Sequence, residues 1–162
     1  VKEIDMNLVS HLLAVVAVLA AGIIYGTDTL GALVMRPTWQ KVDDRTLVMV
    51  NGHLHYYGDR RFPIPGILSV VATVSAAGAS ALSERWLATA AALVATVVLV
   101  AWLAIYLRVN APINRELTAA AQENRVPENA RALQTRWDSV ITARAGLQGI
   151  AVAALCAVLA LP

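Results

Sequence analysis

The chain has 162 residues, of which 58% are hydrophobic and only 15% charged, with a mean hydropathy of +0.61. A soluble domain carries roughly 25% charged residues, so this composition excludes an ordinary soluble fold and places one domain, residues 1–162, in a lipid bilayer. The net charge of +2 and pI near 9.0 do not indicate a nucleic-acid partner, because the basic residues gather in two connections rather than along one face.

The first apolar run extends from about Asn7 to about Met35, behind the polar Lys2-Glu3-Ile4-Asp5, and Arg36-Pro37 predicts its end. It exceeds the roughly 20 residues a bilayer requires, so its last two turns, with Asp28 and Thr29, should emerge from the hydrocarbon or lean on other protein. No basic cluster precedes it and it outruns a signal-peptide core, so it reads as a retained span. Gly22 and Gly26 form a small-xxx-small pair, which predicts a close approach of another helix.

The second span opens at Pro63 or Pro65, where a first helical turn tolerates proline, and runs to about Leu82. Trp86 begins a third that ends near Tyr106, and Val140 to Leu161 form the fourth. Ser83-Glu84-Arg85 leaves room only for a tight turn, so the second and third spans form an antiparallel hairpin. Trp39, Val42, Leu47 and Val50 recur at near-helical spacing in one long connection, as do Ala130, Leu133 and Trp137 in the other. The expected fold is all-α: a four-helix transmembrane bundle with short helices in its two long connections. Pro127-Glu128 suits a helix start, so the fourth helix can begin near there and run through Arg136 into the membrane.

Both long connections lie on one side of such a bundle. They hold Arg36, Lys41, Arg45, Arg60, Arg61, Arg108, Arg115, Arg125, Arg131 and Arg136, against Lys2 and Arg85 on the other side. The positive-inside rule therefore predicts cytoplasmic connections and external termini, in the plasma membrane. Cys156 is the only cysteine, which excludes an intrachain disulfide and a multi-cysteine metal site.

Charged and polar residues in or near spans are the candidates for function, because lipid makes them costly. Asp28 needs a partner, and basic residues at the cytoplasmic end can supply it. Arg144, about a turn inside the fourth span, needs acceptors that Asp28, Asp138 or an asparagine can provide. Arg136 precedes it by eight residues, about 80° around a helix, so the two can line adjoining parts of one face. Asn110 and Asn114 in Val109-Asn110-Ala111-Pro112-Ile113-Asn114 complete a polar pocket at the cytoplasmic mouth. His53, His55 and Asp59 are the nearest approach to a metal pattern. On a helix the two rings stand about 200° apart, whereas an extended segment would turn both to one metal. His11 is the one imidazole placed inside a span for axial haem ligation.

With these residues the chain resembles the anthrone oxygenase family of small four-helix membrane proteins. Its Asn-x-Pro-x-Asn-like segment after the third span looks like Asn110 to Asn114, and its Arg-Trp followed eight residues after that Arg by another Arg looks like Arg136-Trp137 and Arg144. Family members often carry a histidine two residues before that last arginine, where this chain has Thr142. The resemblance implies oxidation of a lipophilic polycyclic phenol by dioxygen, with Asn110, Asn114, Arg136 and Arg144 binding the substrate anion. It needs no metal, because a deprotonated anthrone reacts with oxygen directly. His53, His55 and Asp28 are then the candidate bases. The alternative is a non-enzymatic membrane protein that binds a lipid, a haem or a partner helix at the same pocket. Transport ranks lower, since four spans make a small bundle without an inverted repeat, although a homo-oligomer would enlarge it.

Overall fold

The computed structural model describes residues 5–162; Lys2, Glu3 and Ile4, part of the expected polar flank and of the charge comparison, lie outside them. The described residues form α1 (Met6–Leu30), α2 (Arg36–Trp39), α3 (Asp44–Arg61), α4 (Pro63–Leu82), α5 (Trp86–Ile105), α6 (Ala111–Gln122) and α7 (Ala130–Ala160), with no strand among them. Four continuous helical stretches are long and apolar enough to cross a membrane: Met6–Trp39, Pro63–Leu82, Trp86–Gln122 and Ala130–Ala160.

Two of these stretches run past their expected ends, and the reason is the same in both. A proline inside a helix lacks an N–H and drives its ring into the carbonyl four residues back, which normally stops or kinks the helix. Here a π-helical turn precedes each proline: Gly31–Met35 before Pro37, and Tyr106–Asn110 before Pro112. The Arg36 N–H donates to the Gly31 carbonyl and the Ala111 N–H to the Tyr106 carbonyl, five residues back in each case. The extra residue widens the helix where the pyrrolidine ring needs room, and the chain continues as helix. The first helical stretch therefore runs to Trp39 and the third to Gln122, past Met35 and Tyr106.

Burial follows heptad spacing along both α1 and α7. In α1 it falls on Ser10, Ala14, Ala17, Ala21, Ile24, Asp28 and, in the turn beyond, Gly31; in α7 on Gln134, Ile141, Arg144, Gln148, Ala151, Leu155 and Val158. Steps of three and four keep one stripe turned inward. Gly22 and Gly26 stand off that stripe, and a Cβ added at either would meet nothing within 4 Å. The expected close contact at this pair is thus not made; the stripe alanines make it instead.

The chain falls into two compact units. The first comprises Val1–Tyr25, of which residues 5–25 are described, Ile64–Trp102 and Gly146–Pro162. Its core is built from Ala14, Ala17, Ala21, Ala72, Ala76, Ala77, Ala88, Ala92 and Ala95 with Leu155 and Val158. Small side chains let helices approach closely, which matters where lipid removes the hydrophobic drive to associate. Arg85, which follows the tight turn at Glu84, is buried here with 9% exposure. It donates to the carbonyls of Val158 (2.8 Å) and Leu161 (2.6 Å) at the end of α7 and lies 3.4 Å from His11 Nε2. The cation closes helix carbonyls that have no partner within α7.

The second unit comprises Gly26–Pro63 and Leu103–Ala145. Asp43 starts α3 by accepting from the Thr46 N–H (2.9 Å) and hydroxyl (2.7 Å), which holds its carboxyl below the usual range. α3 packs on α6 at Gly52, where a Cβ would lie 2.4 Å from the Leu117 carbonyl oxygen and 2.5 Å from the Ala121 Cβ. Trp39, Leu47, Val48, Ile113, Leu117, Ala120 and Ala130 fill the core around that contact. Arg131 ties the start of α7 to the Trp39 carbonyl (2.6 Å), the Val42 carbonyl and the Asp44 carboxylate (2.6 Å).

Gly52→Ala is expected to destabilise the protein by at least about 1–3 kcal/mol, because the added methyl meets backbone rather than a flexible side chain. Gly26→Leu should stay within about 0.5 kcal/mol of the parent. Thermal unfolding in one detergent compares them, and the opposite ranking would reject this packing.

Candidate functional site

The second unit has a polar centre, to which every helical segment around it contributes. Asp28 comes from α1, His55 and Asp59 from α3, Tyr106 and Asn110 from the second π-helical turn, Asn114 from α6, and Trp137 and Arg144 from α7. Arg144 Nη2 donates to Asp28 Oδ1 at 2.7 Å, and both side chains are buried, at 6% and 4% exposure. The guanidinium carbon lies 5.4 Å from the Tyr106 ring centre and 5.7 Å from that of Trp137, within cation–π range of both.

A second set of bonds runs through Asp59. Its Oδ1 accepts from the Tyr106 hydroxyl (2.8 Å) and from Asn114 Nδ2 (2.9 Å), while Asn114 Oδ1 accepts from the Trp137 indole N–H (2.8 Å). His55 packs its ring on Trp137, with centroids 5.7 Å apart and planes tilted by 40°. Burial holds its pKa down to about 4; the nearby Asp59 charge opposes that shift and Arg144 reinforces it. His55 is therefore a neutral imidazole at physiological pH.

Asn110 and His55 have buried polar atoms that no protein group satisfies. Asn110 is 0% exposed, yet neither its amide oxygen nor its amide nitrogen has a partner, and the buried Nε2 of His55 has none either. Leaving such a group unmet costs about 1–3 kcal/mol, and folded proteins seldom do so without a functional reason.

Of the residues expected from sequence, Asp28, His55, Asn114 and Arg144 are tied into this centre, and Asn110 is buried at the end of the π-helical turn that begins with Tyr106. Asp28 is the carboxylate that Arg144 takes; Asp138 instead accepts from Gln134 (2.9 Å), which also accepts from Asn51 (2.5 Å). Arg136 is exposed one position before Trp137, outside the buried stripe. His53 is exposed too, with its Nδ1 2.6 Å from the Met49 carbonyl, so the helix turns the two rings to different faces. Among the described residues no group of three or more His, Cys, Asp or Glu is arranged to hold a metal ion. His11, the candidate haem ligand, has Nδ1 2.8 Å from the Asn7 carbonyl and Nε2 beside Arg85, so both ring nitrogens are already engaged. Tyr106 and Gln134 were missed from sequence, and so were the contacts of Trp137 with His55, Asn114 and Arg144. The seven-residue step from Trp137 to Arg144, about 20° around a helix, was the signal that could have found the last.

No family model, no curated protein and no solved structure matches this chain. The polar centre is therefore interpreted from its own chemistry.

The low His55 pKa makes stability depend on pH in a defined direction. Between about 6.5 and 4 the unfolded chain binds a proton that the folded chain excludes, so stability is complete above pH 6.5 and falls as the pH drops to 4. The loss amounts to about 3 kcal/mol at most. Thermal midpoints measured across this window should fall in the parent, and His55→Asn should remove most of that slope. An equal slope in the variant would exclude a buried neutral His55.

Proposed function

We propose that the polar centre binds the anion of a lipophilic phenol or enol, and that the protein is a membrane oxygenase of the anthrone oxygenase kind. The observation that carries this reading is Asn110, a fully buried amide with donor and acceptor both unmet. It is suited to a ligand that offers a carbonyl or phenolate oxygen. Arg144, oriented by Asp28, supplies positive charge in the same unit, and the rings of Tyr106 and Trp137 around it suit a flat conjugated molecule.

The reaction is balanced without a further reductant. A ring methylene activated by the neighbouring carbonyl gives a proton to the neutral His55 Nε2, and the Asp59 charge partly offsets the burial that disfavours the imidazolium. The carbanion transfers an electron to dioxygen, the radical pair combines to form a carbon–oxygen bond, and the imidazolium returns its proton to the peroxide oxygen, giving a hydroperoxide and restoring neutral His55. Loss of water from it leaves the new carbonyl, so CH2 and O2 become C=O and H2O. Asn110 and Arg144 stabilise the enolate oxygen by hydrogen bonding and charge, a contribution of the oxyanion-hole type.

The same reading places α3 and α6, with both long connections, on the cytoplasmic side of the plasma membrane and both termini outside, supported by the distribution of arginine and lysine. A lipophilic substrate would then enter from the bilayer. Homo-oligomerisation is compatible with the many exposed apolar side chains but is not needed for this site.

The test uses protein in nanodiscs and an anthrone as probe. Anaerobic addition should produce the absorption of the bound anion, and admission of air should consume one dioxygen per carbonyl formed. Asn110→Leu should keep the helical content and lower turnover by about 10²–10³-fold, the range for losing one such donor. Anion binding without oxygen uptake would leave the non-enzymatic binding reading standing in its place.

A further inference from the structure

α3 has two apolar faces. Leu47, Val48 and Gly52 are buried against the rest of the second unit, whereas Val50, Leu54, Tyr57 and, just beyond the helix, Phe62 are 39% to 52% exposed. The exposed set and Arg61 follow helical spacing and, with His53 and Gly58, line a groove of about 540 Å³. Gly58 keeps it open, because a Cβ there would already lie 3.5 Å from the Phe62 ring. The groove is separate from the polar centre, whose α3 residues His55 and Asp59 belong to the other face.

The charge along α3 is graded. Asp43 and Asp44 stand at its start and Arg60 and Arg61 at its end. Both arginines are exposed, and among the described residues neither forms an ion pair. Each instead lies over a tyrosine ring, Arg60 3.6 Å from the centre of Tyr56 and Arg61 5.1 Å from that of Tyr57. Phe62 alone separates Arg61 from α4, which is long and apolar enough to cross a membrane. Chain continuity thus sets two cations within a turn of a span, at the level where lipid phosphates lie, with an apolar groove attached to them.

We propose that this groove binds an anionic phospholipid, with an acyl chain along Val50, Leu54 and Phe62 and the phosphate on Arg61 and Arg60. Charge favours a lipid over an apolar helix of another protein, since exposed Arg61 lines the groove with exposed Arg60 next to it in the chain, and no carboxylate lines it. Tyr57 spans the boundary, its ring in the groove and its face toward the guanidinium.

The experiment measures lipid retention by native mass spectrometry and the thermal midpoint in detergent. Phosphatidylglycerol, phosphatidylcholine or inorganic phosphate is added at equal ionic strength. Phosphatidylglycerol should be retained at least tenfold over phosphatidylcholine and should raise the midpoint by several degrees. Gly58→Leu fills the groove and leaves the charge, while Arg61→Gln removes the charge and leaves the groove; each should abolish the preference, and Arg61→Lys should keep most of it. Equal retention of the two lipids by the parent, or a preference unchanged in both variants, would overturn the proposal. So would the same midpoint shift from inorganic phosphate alone, or a cross-link at Leu54 to a second copy or a stoichiometric protein.

Discussion

A guanidinium placed inside an apolar helix must find an acceptor, and much of the second unit is arranged around that requirement. Arg144 meets it with Asp28, contributed by a helix more than a hundred residues away in sequence. Such a pair adds little net stability, because the desolvation of both charges offsets their attraction, but removing one partner costs about 3–5 kcal/mol. It therefore acts as a registration device. Asp28 lies on the buried heptad stripe of α1 and Arg144 on that of α7, and the two stripes can pair these charges in only one alignment. Gly31, one step beyond Asp28 on its stripe, provides the space: a Cβ there would be 3.3 Å from Ile141 and 3.7 Å from Trp137.

The two prolines set the reach of this arrangement. Had Pro112 ended the third span, Asn110 and Asn114 would sit in a flexible connection, where a side-chain amide finds water. The π-helical turn before it keeps the backbone helical, so Asn110 is delivered into the interior without a protein partner, and Asn114 four residues later bridges Asp59 and Trp137. The close approach at Gly52 brings α3 near enough to α6 for Asp59 to reach both Asn114 and Tyr106. Widened turns of this kind are frequent at functional sites because they present a side chain that a regular helix would turn elsewhere.

The four apolar helical stretches and the tight turn at Ser83-Glu84-Arg85 were legible in the sequence, since each rests on local composition or turn chemistry. The pairing of Asp28 with Arg144 was legible as a requirement, because lipid makes either charge costly alone, but Asp138 competed equally until helix packing chose. The continuation of the first and third helices past Met35 and Tyr106 was not legible. Proline is a reliable local stop, and only the i to i−5 bonds around it, which depend on what the widened turn packs against, override that signal. The spacing of Gly22 and Gly26 suggested a contact that the stripe itself excludes, since Ala14, Ala17, Ala21 and Asp28 already define the buried face. Asp59 was noticed beside His53 for metal binding, whereas its partners are Tyr106 and Asn114, which no sequence spacing connects to it.

The central proposal is that the Asp28–Arg144 pair, besides fixing the register of α1 and α7, presents positive charge to a ligand. Joint replacement by apolar residues of similar volume, Asp28→Leu with Arg144→Met, separates the two roles, because a buried ion pair exchanged whole for hydrophobic contacts is often neutral or stabilising. The thermal midpoint and anion binding of the double variant in nanodiscs, measured side by side, decide the matter. The account predicts a midpoint equal to or above the parent's with anion binding lost; a folded double variant that binds the anion as the parent does would contradict it.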